Sequence, residues 1–308
     1  MGLSDTYEKV KPSIVAFTSK YSVFTNPEDL NEKNLSFPPI IGTGFIINKN
    51  GIIVTNDHVA EEIKKPCALP CAKKGECAYQ ATIFKITEEY LVQAPLEILE
   101  IYQPEKLKTK GLYYGPNKPD IAIVLVKARD LPALELDTSE LREGVEVATA
   151  GFPMGKDLLT APGYLHQITP TLQKGIISAV LPFQGAIPHA YAVNIMVQGG
   201  ASGSPVFLPE SGTVIGIIDS SLIDSVESIQ KDTYQIPTNI SYATPSYHIS
   251  NFLKEVEGNY SFKLPQDTKT FDDLIANTEK KIVRPHQPYP NCKIIKMEIR
   301  NRPCPPAL

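Results

Sequence analysis

Gly42-Thr43-Gly44-Phe45-Ile46-Ile47-Asn48-Lys49-Asn50-Gly51-Ile52-Ile53-Val54-Thr55-Asn56-Asp57-His58-Val59 holds two runs rich in β-branched and aromatic residues, separated by an Asn-Gly dipeptide. Asn and Gly accept the positive φ that a tight hairpin turn demands, so the stretch predicts two antiparallel strands with His58 closing the second. A histidine at a strand end can face a cleft. Short β-rich runs recur at 13–17, 81–84, 121–126, 145–150 and 215–218, bounded by Gly, Pro, Asn and Asp. That rhythm predicts an all-β fold of antiparallel barrels.

Downstream, Gly200-Ala201-Ser202-Gly203-Ser204-Pro205 follows the apolar run Ile195-Met196-Val197. By itself, a cluster of glycine and serine between apolar runs is a turn. It is also how a nucleophilic serine is presented, because glycines let the neighbouring N–H groups aim at a developing oxyanion. In that reading Ser202 is the nucleophile, and the N–H groups of Gly200 and Ser202 are the oxyanion donors. A serine hydroxyl needs a base, and the base needs an orienting acid. Among the histidines His58, His166, His189, His248 and His286, only His58 sits in a setting of this kind. Of the aspartates between it and Ser202 (Asp120, Asp130, Asp137 and Asp157), Asp120 stands at the mouth of the apolar run Ile121-Ala122-Ile123-Val124-Leu125-Val126. Alone, His58 reads as a hydrogen-bonded strand-end histidine and Asp120 as a turn cap; together with Ser202 they make a candidate triad.

With these motifs in view, the chain resembles the chymotrypsin-fold serine peptidases, and within them the HtrA-type and glutamyl-endopeptidase-like bacterial branches. The segment 42–59 resembles the family's histidine segment, Asp120-Ile121-Ala122-Ile123-Val124 its aspartate segment, and 200–207 its nucleophile motif. Gly151-Phe152-Pro153-Met154-Gly155 and Gly175-Ile176-Ile177-Ser178-Ala179 resemble the segments opening its second barrel, and the order His, Asp, Ser is the family's own. The likeness runs from about Tyr7 to Leu253. It implies a peptidase domain over 1–255 made of two antiparallel six-stranded β-barrels, one at about 10–127 and one at about 143–244. A connection at 128–141 joins them, and a closing helix lies at about 246–255. It further implies a serine endopeptidase that acts on a protein or peptide substrate through His58, Asp120 and Ser202 and requires no cofactor. The alternative from another class is a catalytically silent peptide- or partner-binding module; hydrolysis of small esters is a third reading.

The resemblance also locates specificity. The base of the primary pocket lies six residues before the nucleophile, at Met196, which has no charge to pair with Lys or Arg. An apolar preference is therefore expected. The glutamyl-specific branch carries a histidine where this chain has Ile218, and Asp219 and Ser220 follow on the same strand. Asp219 either points into solvent or stands beside the triad carboxylate, where it would compete with Asp120 and make activity depend on pH.

Two segments depart from the family. The insertion at 61–80 carries Cys67, Cys71 and Cys77, for which free thiols, a local disulfide and a structural zinc are the readings; zinc needs a fourth ligand from Cys292, Cys304 or a histidine. The extension at 256–308 is too short for a PDZ domain. Phe271, Leu274, Ile275 and Ile282 have helical spacing, and a proline-rich tail follows. Either segment could hold a regulatory partner. The formal net charge of −4, with no basic run, argues against nucleic acid. No apolar run reaches the ~18 residues of a membrane span. The opening Met1-Gly2-Leu3-Ser4-Asp5-Thr6-Tyr7 lacks the features of a secretory leader, so a cytoplasmic location is expected.

Overall fold

A computed structural model describes residues 2–19, 40–65, 79–86, 90–104, 119–153, 160–161, 165–166, 169–182, 189–227, 233–278 and 281–283. After helix α1 (Leu3–Val10) come strands β1 (Ile14–Ser19), β2 (Ile40–Asn48) and β3 (Ile52–Thr55), then helix α2 (Asp57–Lys64). Strands β4 (Tyr79–Ile86), β5 (Tyr90–Leu96), β6 (Ile98–Tyr102) and β7 (Ala122–Val126) complete the first half. The Asn50-Gly51 turn joins β2 to β3, and Gly51 takes a φ of 84°. A side chain there would collide with the Val126 carbonyl, so glycine is required on both counts. His58 does not close β3. The chain turns after Thr55, and His58 falls in the first turn of α2, whose Val59, Ala60 and Ile63 are buried.

The second half contains β8 (Glu146–Gly151), the short pair β9 (Thr160–Ala161) and β10 (Leu165–His166), then β11 (Thr171–Leu181), β12 (Ala190–Val193) and β13 (Pro205–Phe207). Strands β14 (Val214–Glu227) and β15 (Thr233–Pro245) follow, then helix α3 (Ser246–Asn259), helix α4 (Phe271–Ala276) and strand β16 (Lys281–Val283). Strands β11-β12-β15-β14-β13-β8 form a closed barrel. The first half is an eight-stranded sheet in the order β16-β5-β4-β1-β2-β3-β7-β6. Its β5 and β6 lie far apart in that order yet are interrupted in the chain only at Glu97. One bent segment therefore pairs with β4 at one end and with β7 at the other, and wraps the sheet round. The all-β, chymotrypsin-like expectation holds in this form, with a helix following the second barrel.

Residue 282 differs from its sequence reading. Ile282 is in β16, paired antiparallel to β5, and does not continue the helical spacing of α4. The period counted across 277–281 spans a break between two elements.

The barrels share a core. Phe45 and Phe84 from the first meet Phe152, Phe207 and Ile217 from the second, with Val10 of α1 and Ile249 of α3 in the same cluster. The Phe84 and Phe152 rings pack edge to face at 5.9 Å, a contact worth about 1 kcal/mol beyond burial. The connection stitches both sides: Leu134 N–H donates to the Ile46 carbonyl and Asp137 N–H to that of Val214, each at 2.8 Å. Because this boundary is packed as an interior, the groove above it is held in one shape.

Candidate active site

Asp120 is fixed before it meets any imidazole. The N-cap residue of α2, Asn56, is buried and makes no local cap; its Nδ2 donates instead to the Asp120 backbone carbonyl at 2.8 Å. Asp120 supplies what the helix lacks. Its Oδ1 accepts from the His58 N–H, in the first turn of α2, at 3.1 Å, placing a carboxylate at the positive end of the helix. The other oxygen, Oδ2, lies 2.6 Å from His58 Nδ1. With Nδ1–H donating to that carboxylate, the basic lone pair of the neutral ring is on Nε2. Asn56 is a site residue that the motif reading missed; its position just ahead of an acidic first turn is the signal that could have found it.

The ring is half exposed, at 51% for the His58 side chain against 25% for Asp120. The hydrogen bond to Asp120 pushes the His58 imidazole above its ordinary 6.5; burial opposes the rise, and the charges of Asp120, Asp219 and Asp57 add to it. Asp219 belongs to this environment. It lines, with Asp57, His58, Asp120, Ser220 and Tyr242, an open cleft of about 530 Å3. Its Oδ1 accepts from Ser220 Oγ at 2.6 Å and its Oδ2 from Thr244 Oγ1 at 3.0 Å. Burial pushes the Asp219 carboxyl above its ordinary 3.8, the two hydroxyls pull it back, and the Asp120 charge raises it again. The larger hollow, about 1070 Å3 between β6 and α3, is lined by Tyr102, Phe252 and Tyr260 among others and by none of His58, Asp120 and Ser202.

Ser202 lies on the facing barrel, in the turn between β12 and β13. The turn is closed by Ala201 N–H donating to the Gln198 carbonyl at 3.0 Å, with Gly200 at a φ of 91°. Gly203 follows at a φ of 89°, where a Cβ would overlap the Thr43 carbonyl oxygen. Ser204 Oγ donates to the Ala201 carbonyl at 2.6 Å, in space that Gly151 leaves by lacking a side chain. Among the bonds of the described residues, the N–H groups of Gly200 and Ser202 donate to none, and the Ser202 hydroxyl is not joined to His58. The structure thus brings His58, Asp120, Asp219 and Ser220 together and sets Ser202 in a turn of its own.

The other expected site residues are dispersed. Met196 is 40% exposed between the buried Ile195 and Val197, and does not line the His58 cleft. Ile218 is 1% exposed in the second barrel's core; what it offers the site is its backbone, whose carbonyl accepts from Gly203 N–H at 2.9 Å. His189 stacks on His248 at 6.0 Å. Cys67, Cys71, Cys77, Cys292, Cys304 and His286 lie outside the described residues. Among the described residues no group of three or more His, Cys, Asp or Glu side chains could hold a metal ion, and no helix is long and apolar enough to cross a membrane.

A closed β-barrel packed on a second β-sheet, with the histidine–carboxylate pair on the sheet side and a glycine-rich serine turn on the barrel, has the architecture of the chymotrypsin-fold class of serine peptidase. The description "Trypsin-like peptidase domain" matches residues 42–217, and the chain belongs to that family. Within it the chain is similar to relatives named as DegP-like and HTRA proteases. A "Probable periplasmic serine endoprotease DegP-like" of Pseudomonas fluorescens is 27% identical over 218 residues, 70% of this chain and 35% of the relative. A protein of the same name from Halomonas elongata is 31% identical over 181 residues, 58% and 28% respectively. "Serine protease HTRA1" of Xenopus tropicalis is 26% identical over 262 residues, 84% and 44%. The chain matches about a third of the length of the two bacterial relatives. Among solved structures, "HtrA-type protease AlgW with decapeptide" superposes with a TM-score of 0.49 at 17% identity, covering 84% of this chain and 68% of that one.

These relatives correct one expectation. The cytoplasmic location does not stand against bacterial relatives that are named periplasmic.

Proposed function

We propose that the protein is an exported serine endopeptidase in which Ser202 is the nucleophile, His58 the general base and then acid, and Asp120 the group that orients the imidazole. The observation that carries this reading is the 2.6 Å contact between His58 Nδ1 and Asp120 Oδ2, with the same carboxylate bound to the His58 backbone N–H. A carboxylate held at two points on one residue fixes both tautomer and ring orientation. In the reaction, Ser202 Oγ bonds to the substrate carbonyl carbon while its proton passes to His58 Nε2. The carbonyl oxygen becomes negative against the Gly200 and Ser202 N–H groups. The C–N bond then breaks, His58 returns the proton to the leaving amine, and water hydrolyses the acyl-enzyme by the reverse transfers. The triad handles every proton, so the scheme calls for no cofactor.

On specificity, Met196 offers no charge for a basic side chain, and an apolar residue before the scissile bond is the expected preference. Strong cleavage after Lys or Arg across a peptide library would overturn that preference. The assignment of Ser202 is tested with a fluorophosphonate probe: the wild-type chain should be labelled and Ser202→Ala should not. Asp120→Asn should lower turnover by ~10⁴-fold, through loss of the productive tautomer. A wild-type chain that resists labelling under all conditions would leave the silent peptide-binding module as the better account.

A further inference from the structure

Thr43 is completely buried in a strand whose other side chains at 40–47 are apolar or absent. A buried hydroxyl must find partners, and this one finds them across the boundary between the barrels. Its Oγ1 donates to the Gly200 carbonyl at 2.7 Å and accepts from the Phe152 N–H at 3.1 Å. Its own N–H donates to the Ser202 carbonyl at 2.8 Å, and its carbonyl accepts from Thr55 Oγ1 at 2.7 Å, on the strand that leads to His58. One residue of the first barrel therefore grips both ends of the segment 200–202 and is gripped in turn from the His58 side.

The consequence follows from the planarity of the peptide bond, whose C=O and N–H point in opposite directions. The plane joining Gly200 to Ala201 is held by Thr43 Oγ1 on its carbonyl and by the Gln198 carbonyl on its N–H. The plane joining Ala201 to Ser202 is held by the N–H and hydroxyl of Ser204, at 3.0 and 2.6 Å, leaving the Ser202 N–H directed away from them. The Gly200 N–H belongs to the preceding peptide plane, separated from the first by the φ and ψ of Gly200. Glycine turns freely about both, so the direction of its N–H depends on how firmly its carbonyl is anchored.

We propose that Thr43 is a positioning residue for oxyanion stabilisation: its hydroxyl fixes Gly200, so that the Gly200 N–H stays aimed where negative charge develops, while its backbone holds Ser202 opposite His58. The proposal rests on the reading of Ser202 as nucleophile. Thr43 touches no substrate and acts through Gly200 and Ser202. Serine keeps the hydroxyl; valine keeps the shape but turns a methyl group toward a carbonyl and an N–H that both need a partner.

Fluorophosphonate labelling of the full chain tests this, because the phosphoryl oxygen of the adduct occupies the oxyanion position. The maximal labelling rate and the half-saturating probe concentration are measured for wild type, Thr43→Val and Thr43→Ser. Loss of a direct oxyanion donor costs ~10²–10³-fold, so loss of its anchor should slow maximal labelling by Thr43→Val by ~10–100-fold. The half-saturating concentration should stay within ~2-fold, and Thr43→Ser should label within ~3-fold of wild type, since neither binding nor the anchor is then lost. Labelling of Thr43→Val at the wild-type rate, or of Thr43→Ser as slowly as Thr43→Val, overturns the role. If circular dichroism shows that Thr43→Val does not fold, Thr43→Cys takes its place with a weaker donor; it should label more slowly than Thr43→Ser, and a wild-type rate overturns the role equally. A wild-type chain that is not labelled brings down the nucleophile assignment and the proposal together, whereas a labelled wild type with an unimpaired Thr43→Val removes the positioning role alone.

Discussion

A general base must be neutral to accept the Ser202 proton, and the carboxylates of Asp120, Asp219 and Asp57 all favour its charged form. Activity should therefore fall on the acid side at a pH above the ordinary 6.5 of histidine. Stability should respond in the opposite sense. A histidine whose folded-state value is raised stabilises the fold fully below 6.5 and loses that contribution as pH climbs through the raised value. Asp219→Asn separates the charges: with one carboxylate gone, the acid limb of kcat/KM should move to lower pH. Asp219 itself is held above 3.8, so its ionisation costs stability once pH exceeds that range. Thermal melts should accordingly show Asp219→Asn above wild type at neutral pH and equal to it below 3.8. An acid limb that does not move would show that Asp219 has no effect on the base. The pairing of His58 with Asp120 could be expected from the sequence because each stands in a distinct motif. The contacts of Thr43 and Asn56 could not be, since a buried polar residue whose partners lie 157 residues away, as Gly200 does from Thr43, or 64 away, as Asp120 does from Asn56, has no local pattern.

The Ser202 turn and the end of β3 meet at Thr43, and that turn and the start of α2 can each be broken by one substitution. Gly203→Ala would require a non-glycine residue at a φ of 89° and would drive its Cβ into the Thr43 carbonyl. The expected cost is about 3 kcal/mol or more, with loss of fluorophosphonate labelling; labelling at the wild-type rate would mean that the turn can relax around the added methyl. Asn56→Ala leaves the part-buried Asp120 carbonyl without its donor, at a cost of about 1 kcal/mol by denaturant melts. The β2–β3 hairpin announced itself through Asn50-Gly51, whose chemistry admits few alternatives. Helix α2 did not, because its eight residues follow straight on from a strand and contain only one helical repeat of buried positions. Short elements are decided by what they pack on, and α2 packs on residues far away in sequence.

The two halves of the molecule differ in how they are completed. The second barrel closes on itself, whereas the first relies on the far end of the described chain. Phe271 of α4 is 9% exposed in the first half's inner core, with Leu274 and Ile275 packed against it, and β16 adds a strand along β5. Phe271→Ala should cost about 3 kcal/mol and weaken the half that bears His58 and Asp120. Calorimetry resolves this if the halves melt separately, because only the first transition should shift. The sequence showed the helical spacing of α4 but not its destination, since spacing marks an apolar face and says nothing of the surface that covers it. Lys281 pairs with Val92. A chain that emerges N-terminus first must leave the outer edge of β5 unpaired until residues 281–283 have appeared, long after the rest of that sheet is available to fold. Such an edge is a template for pairing with other chains, and contacts so distant in sequence form slowly. As the chain emerges, the protein thus passes through an interval in which His58 already has a scaffold, yet that scaffold is still open to the wrong strand.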